Sequence, residues 1–457
     1  MNVQATPPTT AAPPAAAQAR LPPHRRARAE RTTANWVFVG FLIAFALEYS
    51  GLPNGYPILK QLRLTTLITY AMLLVTISQV GFGDLLKHRQ TRLLVTLLIF
   101  TAASVMWAVV KQRAFDNIRP FVDYLILFYL AANLIDRPKR FQAFGIMLVM
   151  VIVYLVSQNL ARMGQEVRAG AFAAPYFMGD GNDFAWGLAM MIPFCLYLVT
   201  ASKGVLVRMI GLVGLLVALF GVIGTSSRGG SLGVIAAILF YWWFMSGKKA
   251  LGIAIMVVGL IAVLAFAPAS YLNRMSGLSN TSDDTSAQAR LTTWKASLKM
   301  AVDYPLGVGA GNFSSAYGRF YLGSSGKLGY ASNKWFSAHS IYFRTLGEYG
   351  YLGVGLLIWL IVSSIVANMK VRAKLIEQGS DAKIPVAWPS VVAMSLVAFA
   401  VCGTFLGGLS YPHLFLLCGL TVANKRFVGL VEGDAQVGRG RGRKRATPAP
   451  RAAGAQS

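Results

Sequence analysis

The chain has 457 residues, of which 55% are hydrophobic and only 13% charged. Soluble domains carry about 25% charged residues, so this balance excludes an ordinary soluble domain. The net charge of +26 does not require a nucleic-acid partner, because cytoplasmic loops of membrane proteins are rich in Lys and Arg and an anionic membrane surface attracts them. Cys195, Cys402 and Cys418 lie inside apolar runs and show no disulfide or metal-binding pattern. The composition indicates an all-α polytopic membrane protein.

The first segment, residues 1–34, is rich in Pro, Ala and Thr and then basic, which predicts a disordered cytoplasmic tail without a signal peptide. Apolar runs in residues 35–267 predict nine transmembrane helices, and those in residues 351–424 predict three more. The long polar stretch 268–350 is predicted to be an outer, helical catalytic loop, and residues 425–457 a basic cytoplasmic tail. The predicted spans are 36–47, 64–80, 93–110, 121–134, 141–156, 184–200, 205–223, 231–245, 251–267, 352–369, 386–404 and 414–423.

Charge distribution predicts the orientation. With both tails inside, most of the Lys and Arg residues fall in the tails and inner loops, as the positive-inside rule requires. The outer segments then hold Arg162, Arg168, the stretches 180–183 and 225–230, and the loop 268–350. Because that rule depletes basic residues on the outer side, those retained there favour an anionic ligand at the outer face.

Arg228 stands at the predicted start of a span, directly after Ser226 and Ser227, which are candidate N-cap residues. Free backbone N–H groups, the positive end of the helix dipole and a guanidinium group would then converge, which suits a phosphate. The alternative is an arginine that only anchors the helix end at the membrane surface.

Two further residues of the outer loop are candidates for chemistry. Arg290 lies on a predicted helix whose apolar residues, Leu291, Trp294 and Leu298, share one face, although a lipid-headgroup or solvated arginine has the same pattern. His339 has an ordinary pKa of about 6.5 and could accept a proton, but a lone histidine is more often structural.

The outer carboxylates predict no metal site. Asp180, Asp183, Asp283 and Asp284 form neither a DxD pair nor a cluster with histidine. We therefore expect arginines, and no metal ion, to neutralise a bound phosphate.

The motifs together resemble those of the O-antigen ligases, a group that includes O-antigen polymerases and O-linked protein glycosylation ligases. The resemblance covers roughly residues 175–355. It is carried by Ser227-Arg228-Gly229, Ala289-Arg290 with Trp294, Pro305-Leu306-Gly307-Val308-Gly309, His339-Ser340, and Gly347-Glu348-Tyr349-Gly350 with Gly353. One departure is Asp183-Phe184, where many relatives have Pro-Asn, and it leaves the subgroup and the acceptor open.

The resemblance implies a GT-C-like fold in the bacterial inner membrane, with the active site facing the periplasm. It implies inverting transfer of a glycan from undecaprenyl pyrophosphate to a sugar hydroxyl of lipid A–core oligosaccharide, without metal, nucleotide or other cofactor. Arg228 and Arg290 match the family's essential arginines, which would bind the pyrophosphate, and His339 matches its essential histidine, the general base. Additional substrate contacts are expected from Arg162, Arg168, Asn182, Ser227 and Lys334.

Other functions remain open at this point. A polymerase that extends the glycan, or a ligase that glycosylates protein, would use the same motifs. A transporter is less well supported, because no half-to-half repeat is visible and the charges gather at one face.

Overall fold

The computed structural model describes residues 33–163, 173–244, 285–321, 336–377, 383–407, 409 and 411–429. Every regular element in these ranges is a helix. The helices are α1 (Asn35–Ser50), α2 (Leu64–Val80), α3 (Arg89–Ala103), α4 (Lys111–Asp116), α5 (Ile118–Leu134), α6 (Pro138–Gln158), α7 (Gly181–Thr200), α8 (Val205–Gly224), α9 (Arg228–Phe244), α10 (Thr285–Asp303), α11 (Ile341–Glu377), α12 (Lys383–Cys402) and α13 (Pro412–Phe427). Short helical turns lie at Leu52–Gly55, Pro57–Gln61, Leu85–Lys87, Ser104–Met106, Leu160–Arg162, Tyr176–Met178, Phe313–Ala316 and Tyr317–Tyr321.

Several of these helices are suited to a membrane. In the described ranges, α6, α7, α8 and α11 are long and apolar enough to cross one, and α1, α2, α9 and the Val386–Cys402 part of α12 are shorter apolar helices. The prediction of a helical membrane protein is confirmed, while the number of twelve spans stays a prediction. The predicted span 251–267 and most of both predicted tails lie outside the described residues.

The helix α7 forms the centre of the bundle. It packs against α6, α8, α9 and α12. Of an apolar stretch of 18 residues in α7, 78% is buried, compared with 28% of the corresponding stretch in α8. α8 lies close to α7 and α6 because it presents glycines to them: a Cβ at Gly211 would be 2.6 Å from Leu198 Cβ, and one at Gly214 would be 2.6 Å from Val149. Its other face exposes apolar side chains such as Leu206 and Phe220, as a lipid-facing helix requires.

One predicted span, 93–110, extends past the end of its α-helix, and another, 352–369, lies inside a longer helix; tertiary contacts explain both differences. The run predicted at 93–110 is helical only to Ala103, because the chain then turns to pair with the glycine-rich turn 305–312. The run predicted at 352–369 belongs to the longer α11, which is broken at Gly350 with φ 63° and ψ −163°. This left-handed φ favours glycine, and a Cβ there would overlap the carbonyl oxygen of Pro305.

The turn 305–312 is joined to two other parts of the chain. It pairs on one side with the segment after α3 and on the other side with the last residues of α11 before its break. Four hydrogen bonds from backbone N–H groups make these pairings: from Val109 to Val308 O (3.1 Å), from Ala310 to Ser104 Oγ (3.1 Å), from Val308 to Gly347 O (2.9 Å) and from Gly309 to Glu348 O (3.0 Å). The described part of the polar segment 268–350 is therefore fixed to the helix bundle.

Candidate active site

The site lies at the end of the bundle where α7, α9 and α11 begin. Asp180 caps α7, because its Oδ1 accepts hydrogen bonds from the backbone N–H groups of Asn182 and Asp183, both at 2.8 Å. Ser227 caps α9 in the same way, since its Oγ accepts from Gly230 N–H at 3.3 Å. The Ser227 hydroxyl also donates to Asn182 Oδ1 at 2.8 Å, which joins the two helix starts.

Arg228 is the first residue of α9 and faces a cleft at these joined helix starts. The cleft has about 400 Å³ of empty space, part of it open to solvent. Two of the predicted site residues, Arg228 and Arg290, line it although they are distant in sequence. Its other described lining residues are Asn182, Ser226, Gly229, Phe405 and Leu406. Two half-buried guanidinium groups and the positive end of a helix thus face one space, which suits an anion with several charges.

His339 lies between α10 and α11. The indole Nε1 of Trp294, one helical turn after Arg290, donates to Ala338 O at 2.8 Å, and Trp294 stacks on Phe343 with ring centroids 4.7 Å apart. Ser340 caps α11 by accepting from Phe343 N–H at 3.4 Å. These contacts hold His339 in a left-handed conformation with φ 44°, which is uncommon for a residue with a side chain and is often found at functional sites.

The surroundings of His339 favour its neutral form. Although its side chain is in contact with solvent, nearby protein atoms partly desolvate the ring, and this burial lowers its pKa below the ordinary value. The positive charges of Arg290 and Arg344 lower the pKa further, whereas the charge of Asp180 opposes them. At neutral pH the imidazole is therefore unprotonated and able to accept a proton.

The remaining predicted contacts divide into three groups. Asn182 lines the cleft, and the Ser227 hydroxyl donates a hydrogen bond to the Asn182 side chain. Arg162 lies in the turn after α6, where its Nη1 donates to Asn159 Oδ1 at 3.2 Å, and it is not among the described lining residues. Arg168 and Lys334 lie outside the described residues.

The sequence analysis missed Arg344, although its Nε donates to Glu348 Oε1 at 2.9 Å beside His339. The i, i+4 spacing of an arginine and a glutamate was the available signal, although no span was predicted over these residues. It also assigned no role to Tyr411, which interacts with Asp183 at the start of α7. In the described parts of the chain, no group of three or more His, Cys, Asp or Glu side chains could hold a metal ion.

A family model described as O-Antigen ligase matches residues 213–360. The resemblance to the O-antigen ligase family is confirmed over these residues. The matched segment runs from within α8 to within α11 and includes Arg228, Arg290 and His339. Family members are glycosyltransferase-like ligases, and the family covers both ligase and polymerase activity on a lipid-linked glycan. No match is found among curated proteins.

Proposed function

We propose that this protein is an O-antigen ligase, which transfers a glycan from undecaprenyl pyrophosphate to a sugar hydroxyl of lipid A–core oligosaccharide. The observation that carries the proposal is that two arginines distant in sequence, Arg228 and Arg290, line one cleft. His339 is not among the described lining residues, but it is near enough to Arg290 for that charge to lower its pKa. The proposed setting is the bacterial inner membrane, with both termini in the cytoplasm and the cleft facing the periplasm.

The arginines bind the diphosphate of the donor. A guanidinium group makes two parallel hydrogen bonds to phosphate oxygens, and the backbone N–H groups at the start of α9 add to them. Fixed positive groups in a partly enclosed cleft stabilise the charge that develops on the leaving diphosphate. In this proposal the reaction needs no metal ion, nucleotide or other cofactor.

His339 acts as the general base. Its unprotonated ring nitrogen accepts the proton of the acceptor hydroxyl while the acceptor oxygen forms a bond to the anomeric carbon. The bond from that carbon to the phosphate oxygen breaks on the opposite face, so undecaprenyl pyrophosphate leaves with the electron pair and the configuration inverts. The proton on His339 is then released to solvent, to which its side chain has access.

The test is reconstitution of the purified protein with undecaprenyl-pyrophosphate glycan and rough lipopolysaccharide, with EDTA and without nucleotide. Glycan attached to the lipid A–core supports the proposal. A ladder of longer prenyl-linked glycans would replace it with a polymerase, and label on protein would replace it with a protein glycosylation ligase. Substrate counterflow without any product would indicate a transporter.

A further inference from the structure

Glu348 is the charged residue of the motif 347–350, and the proposed reaction does not use it. Its side chain is almost fully buried, with 3% of the residue exposed. Its Oε1 accepts a hydrogen bond from Arg344 Nε at 2.9 Å and one from the backbone N–H of Phe313 at 3.4 Å. Because an unpaired buried carboxylate is costly, this oxygen keeps Arg344 in one position.

Arg344 lies next to the proposed base. It is in the first turn of α11, where its backbone N–H donates to the carbonyl oxygen of Ser340, the residue after His339. Its side chain is 33% exposed. Among the described residues, the charged groups that interact with His339 are Arg290 on α10, Asp180 before α7 and Arg344 on α11.

The ion pair also decides where Arg344 points. A hydrogen bond from Nε to the carboxylate four residues later directs the side chain along α11, toward Glu348. Consistent with this direction, the described lining of the cleft includes Arg228 and Arg290 but not Arg344. An arginine released from this bond would have a flexible side chain beside a diphosphate site.

We propose that Glu348 is a positioning residue, which holds Arg344 along α11 so that its charge is compensated and its guanidinium group stays out of the diphosphate cleft. The inference rests on the proposed function, in which neutral His339 accepts a proton beside the two arginines of the cleft. Without the carboxylate, Arg344 becomes an additional positive charge next to the imidazole and weakens it as a base. The released guanidinium group also binds the diphosphate of the product and slows its release.

The variant Glu348→Gln tests this role, because glutamine keeps an acceptor oxygen for Phe313 and removes only the charge. We expect kcat to fall about tenfold, without a rise in KM for the donor, and the acid limb of the pH–rate profile to move to lower pH. The double variant Arg344→Gln/Glu348→Gln removes both the carboxylate charge and the guanidinium charge, so Arg344 no longer adds a positive charge next to His339. It is expected to return to within about threefold of the wild-type rate. A buried ion pair with only a structural role gives the same rescue, so the titration of His339 is the readout that separates the two roles.

A second measurement needs no substrate. Diethyl pyrocarbonate modifies neutral imidazole, so the rate of His339 modification against pH, read by peptide mass spectrometry, gives its titration midpoint. The midpoint should fall in Glu348→Gln and rise again in the double variant. The matched control is Asp123→Asn, which breaks the i, i+4 pair of Asp123 with the 78% exposed Arg119 outside the cleft and should leave this midpoint unchanged.

An unchanged midpoint in Glu348→Gln, or a double variant as slow as the single one, overturns the inference. The two proposals fail separately. If the wild-type protein transfers no glycan, the proposed function is wrong, while the modification experiment still decides whether Glu348 controls the charge beside His339.

Discussion

Replacing Gly350 by alanine tests whether the break in α11 holds the site together. Gly350 has φ 63°, and a Cβ there would lie 2.6 Å from the carbonyl carbon of Pro305 and 2.9 Å from Gly307 N. These neighbours are backbone atoms of the turn 305–312, which itself binds Gly347 and Glu348, so they cannot yield without moving the turn. The substitution should therefore disturb the Arg344–Glu348 pair as well.

The magnitude follows from two costs. A left-handed conformation costs a residue with a side chain about 1–2 kcal/mol, and overpacking against backbone adds about 1–3 kcal/mol. Together these predict a loss of roughly 2–5 kcal/mol, which should lower the apparent Tm by about 2–5 °C for a chain of this length.

The assay is thermal unfolding of the purified protein in detergent, with glycan transfer measured on the same preparations. The matched control is Gly355→Ala in the same helix, where no described atom beyond the helix's own nearby backbone lies within 4 Å of the added Cβ and the backbone is helical. Alanine there should leave the apparent Tm unchanged or raise it slightly, because it favours the helix by about 0.5–1 kcal/mol. Equal apparent Tm values for the two variants would refute the reasoning.

The remaining predictions concern the proposed chemistry. His339→Ala should lower kcat by about 10²- to 10⁴-fold with donor binding nearly intact, measured by single-turnover transfer and by equilibrium binding; wild-type transfer would remove the base assignment. Arg228→Ala should weaken donor binding, and Arg228→Lys should restore it poorly because the two-pronged contact is lost; unchanged affinity in both variants would count against the phosphate role. The acid limb of the pH–rate profile should be centred below 6.5, because burial and Arg290 lower the pKa of His339 and the active neutral form is lost only as pH falls through that lowered value. An acid limb centred above 6.5 in a pH–rate profile would contradict this.

Local patterns predicted much of what surrounds the site. The membrane class follows from composition, and several helices coincide with apolar runs because each must satisfy its own backbone in lipid. Of the two serines predicted as N-cap candidates, Ser227 caps α9. Such features depend on residues within about one helical turn, which a single sequence displays directly.

The tertiary structure decided what these local elements do together. Arg228 and Arg290 meet in one cleft because α9 and α10 pack at the same end of the bundle, and no local pattern encodes that distance. The early end of α3 and the break at Gly350 likewise depend on the turn 305–312, whose hydrogen bonds join segments far apart in the chain. Sequence alone determined the kind of protein and the residues capable of chemistry, since composition and spacing are properties of the chain. Which charges surround His339 was decided only by folding, because electrostatic interactions depend on distance in space and on burial.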